Sequence, residues 1–194
     1  MLFDAVHDTQ RIFRKLLRAH SFPGAIVDVG PDTQGVETWA GISAAMTGIA
    51  LTLLDSETSF CLWPGRAAAE KDFLSHLTYG RIVRAQEAAF HFVVGGEEAA
   101  AALRSAGTGT LVEPHRGATV IIEVDALEEE GSWVLRGPGI RTATKLGVNG
   151  FDHELLRLRT EKCSEYPLGI DLVLVDRQGR CAAIPRTTVV QGDA

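Results

Sequence analysis

The chain has 194 residues, 45% of them hydrophobic and 23% charged, a composition that builds one ordinary core and excludes a disordered tract, a fibre or a disulfide-dense miniprotein. Nineteen Lys and Arg against twenty-five Asp and Glu leave a net charge of -6, so no global positive field draws in a nucleic-acid backbone or an anionic membrane. Cys61, Cys163 and Cys181 are too few and too scattered for a disulfide framework or a zinc cluster, which fits reduced thiols and a cytoplasmic setting.

Asp4 and Asp8 precede the first apolar run, which is not the basic start of a signal peptide. Residues 8–20 form the first predicted helix: Ile12, Phe13, Leu16 and Leu17 share one face, and Arg11, Arg14, Lys15 and Arg18 form a solvated basic stripe on the other. Pro23 and Gly24 end it. A strand is expected over 25–29. Residues 38–54 carry no charge, but Gly41, Ser43, Thr47, Gly48 and Thr52 make the segment too polar to span a bilayer, and it reads as a buried helix.

Ser59–Trp63 reads as a strand, 67–79 as a helix, 81–84 and 89–94 as strands, and 97–105 as an alanine-rich helix. Gly107-Thr108-Gly109-Thr110 follows as a loop. Thr119–Val124 and residues 133–136 are expected to pair as an antiparallel hairpin across the acidic turn Glu128-Glu129-Glu130-Gly131. Residues 151–161 form a last helix, with Asp152 at its start complementing the helix dipole. The strands 170–175 and 181–184 flank the turn Asp176-Arg177-Gln178-Gly179. Helices alternating with strands, followed by hairpins, predict an α/β fold with a mixed central sheet covered by helices on both faces, in one domain over 1–194.

The six histidines are dispersed and form no metal-ligand spacing, and Gly41-Ile42-Ser43-Ala44-Ala45 lacks the second glycine of a nucleophile elbow. Gly107-Thr108-Gly109 and Gly137-Pro138-Gly139 match no phosphate-loop pattern and read first as turns. Pairing Val175 with Cys181 sets Asp171 across from Pro185 and beside Arg186, so a carboxylate in an apolar strand meets a guanidinium. Such a pair serves as a structural strut or as part of a ligand or partner site, for which Asp171, Arg186, Thr187, Thr188, Gly107, Thr108 and Gly109 are the candidates. No catalytic or metal residue is assigned. The alternative is a phosphate- or nucleotide-binding enzyme in which Arg186, Thr187 and the glycine loops contact an anion.

The run from Tyr166-Pro167-Leu168-Gly169-Ile170-Asp171 through Val175, followed by Ala183-Ile184-Pro185-Arg186-Thr187-Thr188, resembles the C-terminal signature of the PhnH family, subunits of the bacterial carbon-phosphorus lyase complex. The openings Phe13 to Leu17 and Ser21 to Gly24, the middle Gly107 to Pro114 and Gly117 to Thr119, and Gly137 to Ile140 resemble that family in the same order. The resemblance implies a homodimer whose fold is similar to that of pyridoxal phosphate-dependent transferases without the cofactor. It further implies partnership with PhnG, PhnI and PhnJ-like subunits. With PhnL, that assembly forms ribose 1-phosphonate 5-triphosphate from ATP and a phosphonate before PhnJ cuts the carbon-phosphorus bond. Lys15, Lys71, Lys145 and Lys162 sit in no recognisable cofactor setting, so no cofactor is expected.

Overall fold

A computed structural model, which describes residues 3–38, 41–63 and 68–192, gathers the β-branched and aromatic runs into a seven-stranded sheet. Its spatial order is β1 (Val27–Asp28), β9 (Arg180–Ile184), β8 (Asp171–Asp176), β5 (Thr119–Val124), β4 (Phe90–Val93), β2 (Ser59–Trp63) and β3 (Arg81–Ile82). The five strands from β8 to β3 run parallel, and β9 lies antiparallel between β8 and β1. Among the described residues, five α-helices accompany them: α1 (His7–Ser21), α2 (Ala44–Leu53), α3 (Ala68–Thr78), α4 (Ala99–Ser105) and α5 (His153–Lys162). The fold is α/β with a mixed central sheet, as expected.

Apolar side chains alternate across this sheet and feed two cores. Val120, Ile122, Leu172, Leu174, Ala182 and Ile184 face α4 and α5, whereas Ile121, Val173, Val175, Cys181 and Ala183 face α1 and α2. Central parallel strands covered on both sides therefore read as mostly apolar runs. On the second face, Ile12 and Leu16 of α1 meet Met46 and Ile49 of α2.

The expected hairpin between 119–124 and 133–136 does not form. β5 pairs with β4 and β8, and the chain crosses at Asp125 into β6 (Ala126–Arg136), the middle of a second sheet with β7 (Thr144–Asn149) and β10 (Val189–Gly192). Glu128, Glu129 and Glu130 lie inside β6, exposed, where the register with β7 shifts. Exposed carboxylates at a register shift cost little, and the buried Leu127, Trp133 and Leu135 settle the strand's path. β7 and β10 escape sequence reading because little of either is apolar: Leu146 and Val190 are their buried side chains.

Other expectations change. The helix predicted over 38–54 begins only at Ala44, where the Ser43 hydroxyl accepts the Met46 N–H as an N-cap, and residues 39–40 lie outside the described residues. The helix predicted over 67–79 ends at Thr78, and residue 67 lies outside the described residues. β1 and β3 are two residues each rather than 25–29 and 81–84. The basic stripe of α1 is only partly solvated: Arg11 Nε donates to Asp32 at 2.8 Å, Lys15 Nζ donates to the same carboxylate at 2.5 Å, and Arg11 also pairs with Asp8. Its apolar face is only half covered, with Phe13 and Leu17 exposed beside buried Ile12 and Leu16.

His91 on β4 is fully buried, and its Nδ1 accepts a hydrogen bond from Trp63 Nε1 at 3.2 Å with the two rings stacked. Burial pushes its pKa down to about 4, so the folded ring is neutral. As pH falls from about 6.5, the unfolded chain takes the proton first. Stability is therefore whole above that value and is lost toward pH 4, by up to about 3 kcal/mol. Denaturant melts across pH 4 to 7 should show this slope, and His91→Gln, which does not titrate, should flatten it.

Candidate functional site

Asp171 opens β8, and Arg186 follows the end of β9 by two residues. The observed register, Leu172 opposite Ile184 and Val175 opposite Cys181, brings them together. The Arg186 N–H donates to Asp171 Oδ1 at 2.7 Å, Nε lies 3.2 Å from both carboxylate oxygens, and Nη2 donates to Oδ2 at 2.5 Å. The pair is four-fifths or more buried, with side chains 20% and 16% exposed. The hydrogen bonds to Asp171 raise the Arg186 pKa further, so the guanidinium stays charged at any working pH.

Most of the remaining donors of Arg186 are also committed. Nη1 donates to the Pro114 carbonyl at 2.7 Å and Nη2 reaches the Gly117 carbonyl at 3.3 Å. Gly117 has no room for a Cβ, which would collide with the Gly169 carbonyl and this guanidinium. A guanidinium spent on one carboxylate and two carbonyls has little left for a phosphate.

The glycine segments take their places around this pair. Thr108 bridges Gly117, the Ala118 N–H donates to the Gly107 carbonyl at 2.8 Å, and the Gly169 N–H donates to the Thr108 carbonyl at 3.0 Å. Gly109 adopts φ +80°, and a Cβ there would press on the Glu113 and Pro114 carbonyls, so the turn requires glycine. Gly137 packs its backbone against Thr187 and Thr188. Thr187 is exposed and Thr188 is buried, with its Oγ1 unpartnered among the described residues.

Sequence reasoning missed Arg159. It lies three residues after Leu156 and four after Leu155 on the dry face of α5, and its position among those leucines was the available signal. The side chain is 2% exposed, donating from Nη1 to the Thr188 carbonyl at 2.7 Å and from Nη2 to the Pro185 carbonyl at 2.6 Å. Burial lowers its pKa, opposed by the nearby Cys163 and Asp171. Residues 185–188 thus run between two guanidiniums, one fixed in β8 through Asp171 and the other in α5.

Elsewhere, no group of three or more His, Cys, Asp and Glu among the described residues is arranged to hold a metal ion, and no helix there is long and apolar enough to cross a membrane. Lys162 Nζ caps α4 by donating to the Arg104 and Ala106 carbonyls at 2.8 Å, on the wall of a cavity of about 420 Å³ that also includes Thr108.

Residues 2–191 match the family model described as bacterial phosphonate metabolism protein (PhnH). The chain is 31% identical over 190 residues to the alpha-D-ribose 1-methylphosphonate 5-triphosphate synthase subunit PhnH of Rhizobium meliloti (strain 1021), covering 97% of this chain and 92% of that protein. It is 32% identical over 179 residues to the putative C-P lyase subunit protein HtxG of Stutzerimonas stutzeri, covering 92% and 84%.

Removing either clamp should unfold rather than rewire. Asp171→Ala leaves a largely buried guanidinium without its counter-charge and should cost about 3 kcal/mol, and a double-mutant cycle with Arg186→Ala should return a large coupling. Arg159→Met strands the Thr188 carbonyl and leaves the Pro185 carbonyl only the Thr188 N–H, and should cost about 2 kcal/mol. Denaturant melts measure both.

Proposed function

Because the chain belongs to the PhnH family of bacterial phosphonate metabolism proteins, we propose that it is a subunit of the carbon-phosphorus lyase assembly, working without a catalytic residue of its own. Its setting is the breakdown of organic phosphonates. The match to the family model over 2–191 carries this reading, since it spans nearly the whole chain rather than one motif. The names of both relatives describe subunits, one of a ribose 1-methylphosphonate 5-triphosphate synthase and the other of a C-P lyase.

In this reading the chain acts as one domain over 1–194, self-associates as a homodimer in the cytoplasm, and joins PhnG, PhnI and PhnJ-like subunits. With PhnL, these form ribose 1-phosphonate 5-triphosphate from ATP and a phosphonate. Its architecture follows that of pyridoxal phosphate-dependent transferases without the cofactor. The Asp171–Arg186 pair then acts as a strut for a partner-facing surface that includes exposed Thr187, the half-exposed Gly107-Thr108-Gly109 segment and the Thr188 backbone. The commitment of most Arg186 donors to protein acceptors supports the strut over an anion site.

Coexpression with the PhnG, PhnI and PhnJ-like subunits tests the role. The chain should copurify with them in fixed stoichiometry, and synthase activity should fall when it is omitted. A chain that purifies alone, with product formed undiminished in its absence, contradicts the reading. Sedimentation of the isolated chain at micromolar concentration should show twice the monomer mass; a clean monomer contradicts the dimer.

A further inference from the structure

Glu123 breaks an apolar strand. β5 reads Thr-Val-Ile-Ile-Glu-Val, and Glu123 stands one residue before its carboxyl end. Its Oε2 is shut off from solvent and has no hydrogen-bond partner among the described residues. Burial raises the carboxyl pKa, and the Ser43 hydroxyl and the Arg177 charge offset this less strongly. An oxygen left this way in a sheet is costly unless something donates to it.

Glu123 lines a cavity of about 220 Å³, with Gly95, Gly96, Asp125, Gly150 and Arg177 among its other walls. This is the carboxyl end of β4 and β5. The sheet's reversal of direction lies one strand away, between β2, which leads to β3 on one side, and β4, which leads to β5 on the other. In open α/β sheets, ligands bind outside the carboxyl ends of the strands, the edge on which this cavity lies.

Gly95 has φ +81° and ψ 154°, a conformation open essentially to glycine alone, and a Cβ built there meets nothing within 4 Å. The glycine is needed for the chain's direction, and it leaves the wall bare. The Gly95 and Gly96 N–H groups have no partner among the described residues. A second cavity of about 410 Å³ shares Gly96 and Gly150 and continues toward Val148 and Phe151.

A ligand fitting this crevice must donate to Glu123 and accept from the glycine amides. Hydroxyl groups do both. Arg177 at the mouth is 74% exposed and lies 3.7 Å from Asp125, longer than a charge-assisted hydrogen bond, so it is available to an anion. The carboxyl groups of Glu123 and Asp125 keep that anion at the mouth rather than inside.

We propose that this crevice binds a sugar phosphate, its ring hydroxyls on Glu123 and the Gly95-Gly96 amides and its phosphate on Arg177. The choice of ribose among small sugars rests on the functional reading above; the site itself does not.

Ribose 5-phosphate, ribose and inorganic phosphate are the probes, titrated into the full-length chain while amide resonances are followed. Ribose 5-phosphate should bind saturably and shift the Gly95, Gly96 and Gly150 amides. Glu123→Leu should weaken it about tenfold or more, and Arg177→Ala should bring it down to the affinity of ribose. Should Glu123→Leu fail to fold, Glu123→Gln and the location of the shifted amides in the unaltered chain decide. Absence of saturable binding, shifts elsewhere, or inorganic phosphate binding as well as the sugar phosphate would each overturn the proposal. Binding lost with copurification intact removes the site alone, whereas copurification lost with binding intact removes the assembly role and leaves the site.

Discussion

Two buried guanidiniums hold the chain where it leaves one sheet for the other. Residues 185–188 connect β9 of the seven-stranded sheet to β10 of the three-stranded one, and over that short span Arg159 takes the Pro185 and Thr188 carbonyls while Arg186 anchors to Asp171. Backbone groups at such a crossing have no ladder to satisfy them, and leaving them unpaired in a dry setting costs more than the bonds return. Arg159 meets that need from α5, and Asp171 supplies negative charge close to both cations. The arrangement fixes position more than it adds stability, because desolvating these ions offsets much of their attraction.

The crossing matters because the two sheets share a core. Leu127, Trp133, Leu135 and Leu146 of the small sheet pack with Val120, Ile122, Leu172 and Leu174 of the large one, with Leu155 and Leu156 of α5 among them. Trp133 and Phe151 meet edge to face at 5.2 Å. The chain passes between sheets at Asp125 and again at residues 185–188. Both passages adjoin polar features the cores do not explain: Glu123 and its cavity beside the first, and the Asp171–Arg186 pair with exposed Thr187 at the second.

How much of this was legible in the sequence depended on what each segment buries. β5 and β8, covered on both faces, are mostly apolar, and β9 follows a turn with strong glycine chemistry, so their positions, to within a residue, and the Asp171–Arg186 register could be read directly. β6 escapes sequence reading because three glutamates and a glycine have the composition of a turn, and only the pairing with β7 shows that they continue a strand through a register shift. β7 and β10 carry too few apolar residues for periodicity to register. Arg159 and Glu123 were visible as charges within apolar patterns, but a single sequence does not tell a buried charge from an edge position. That distinction needs the tertiary neighbours. Family membership was legible for a different reason: its motifs are spread in order along nearly the whole chain.

Native-state hydrogen exchange on the Arg159→Met chain tests the central claim most directly. If Arg159 pins the crossing, amides of β10 and the adjoining half of β6, Val190 and Leu135 among them, should lose protection while those of β4 and β5 keep theirs. Equal loss of protection in both sheets, or none in β10, would show that the crossing is held by the shared core and that the two guanidiniums are incidental to it.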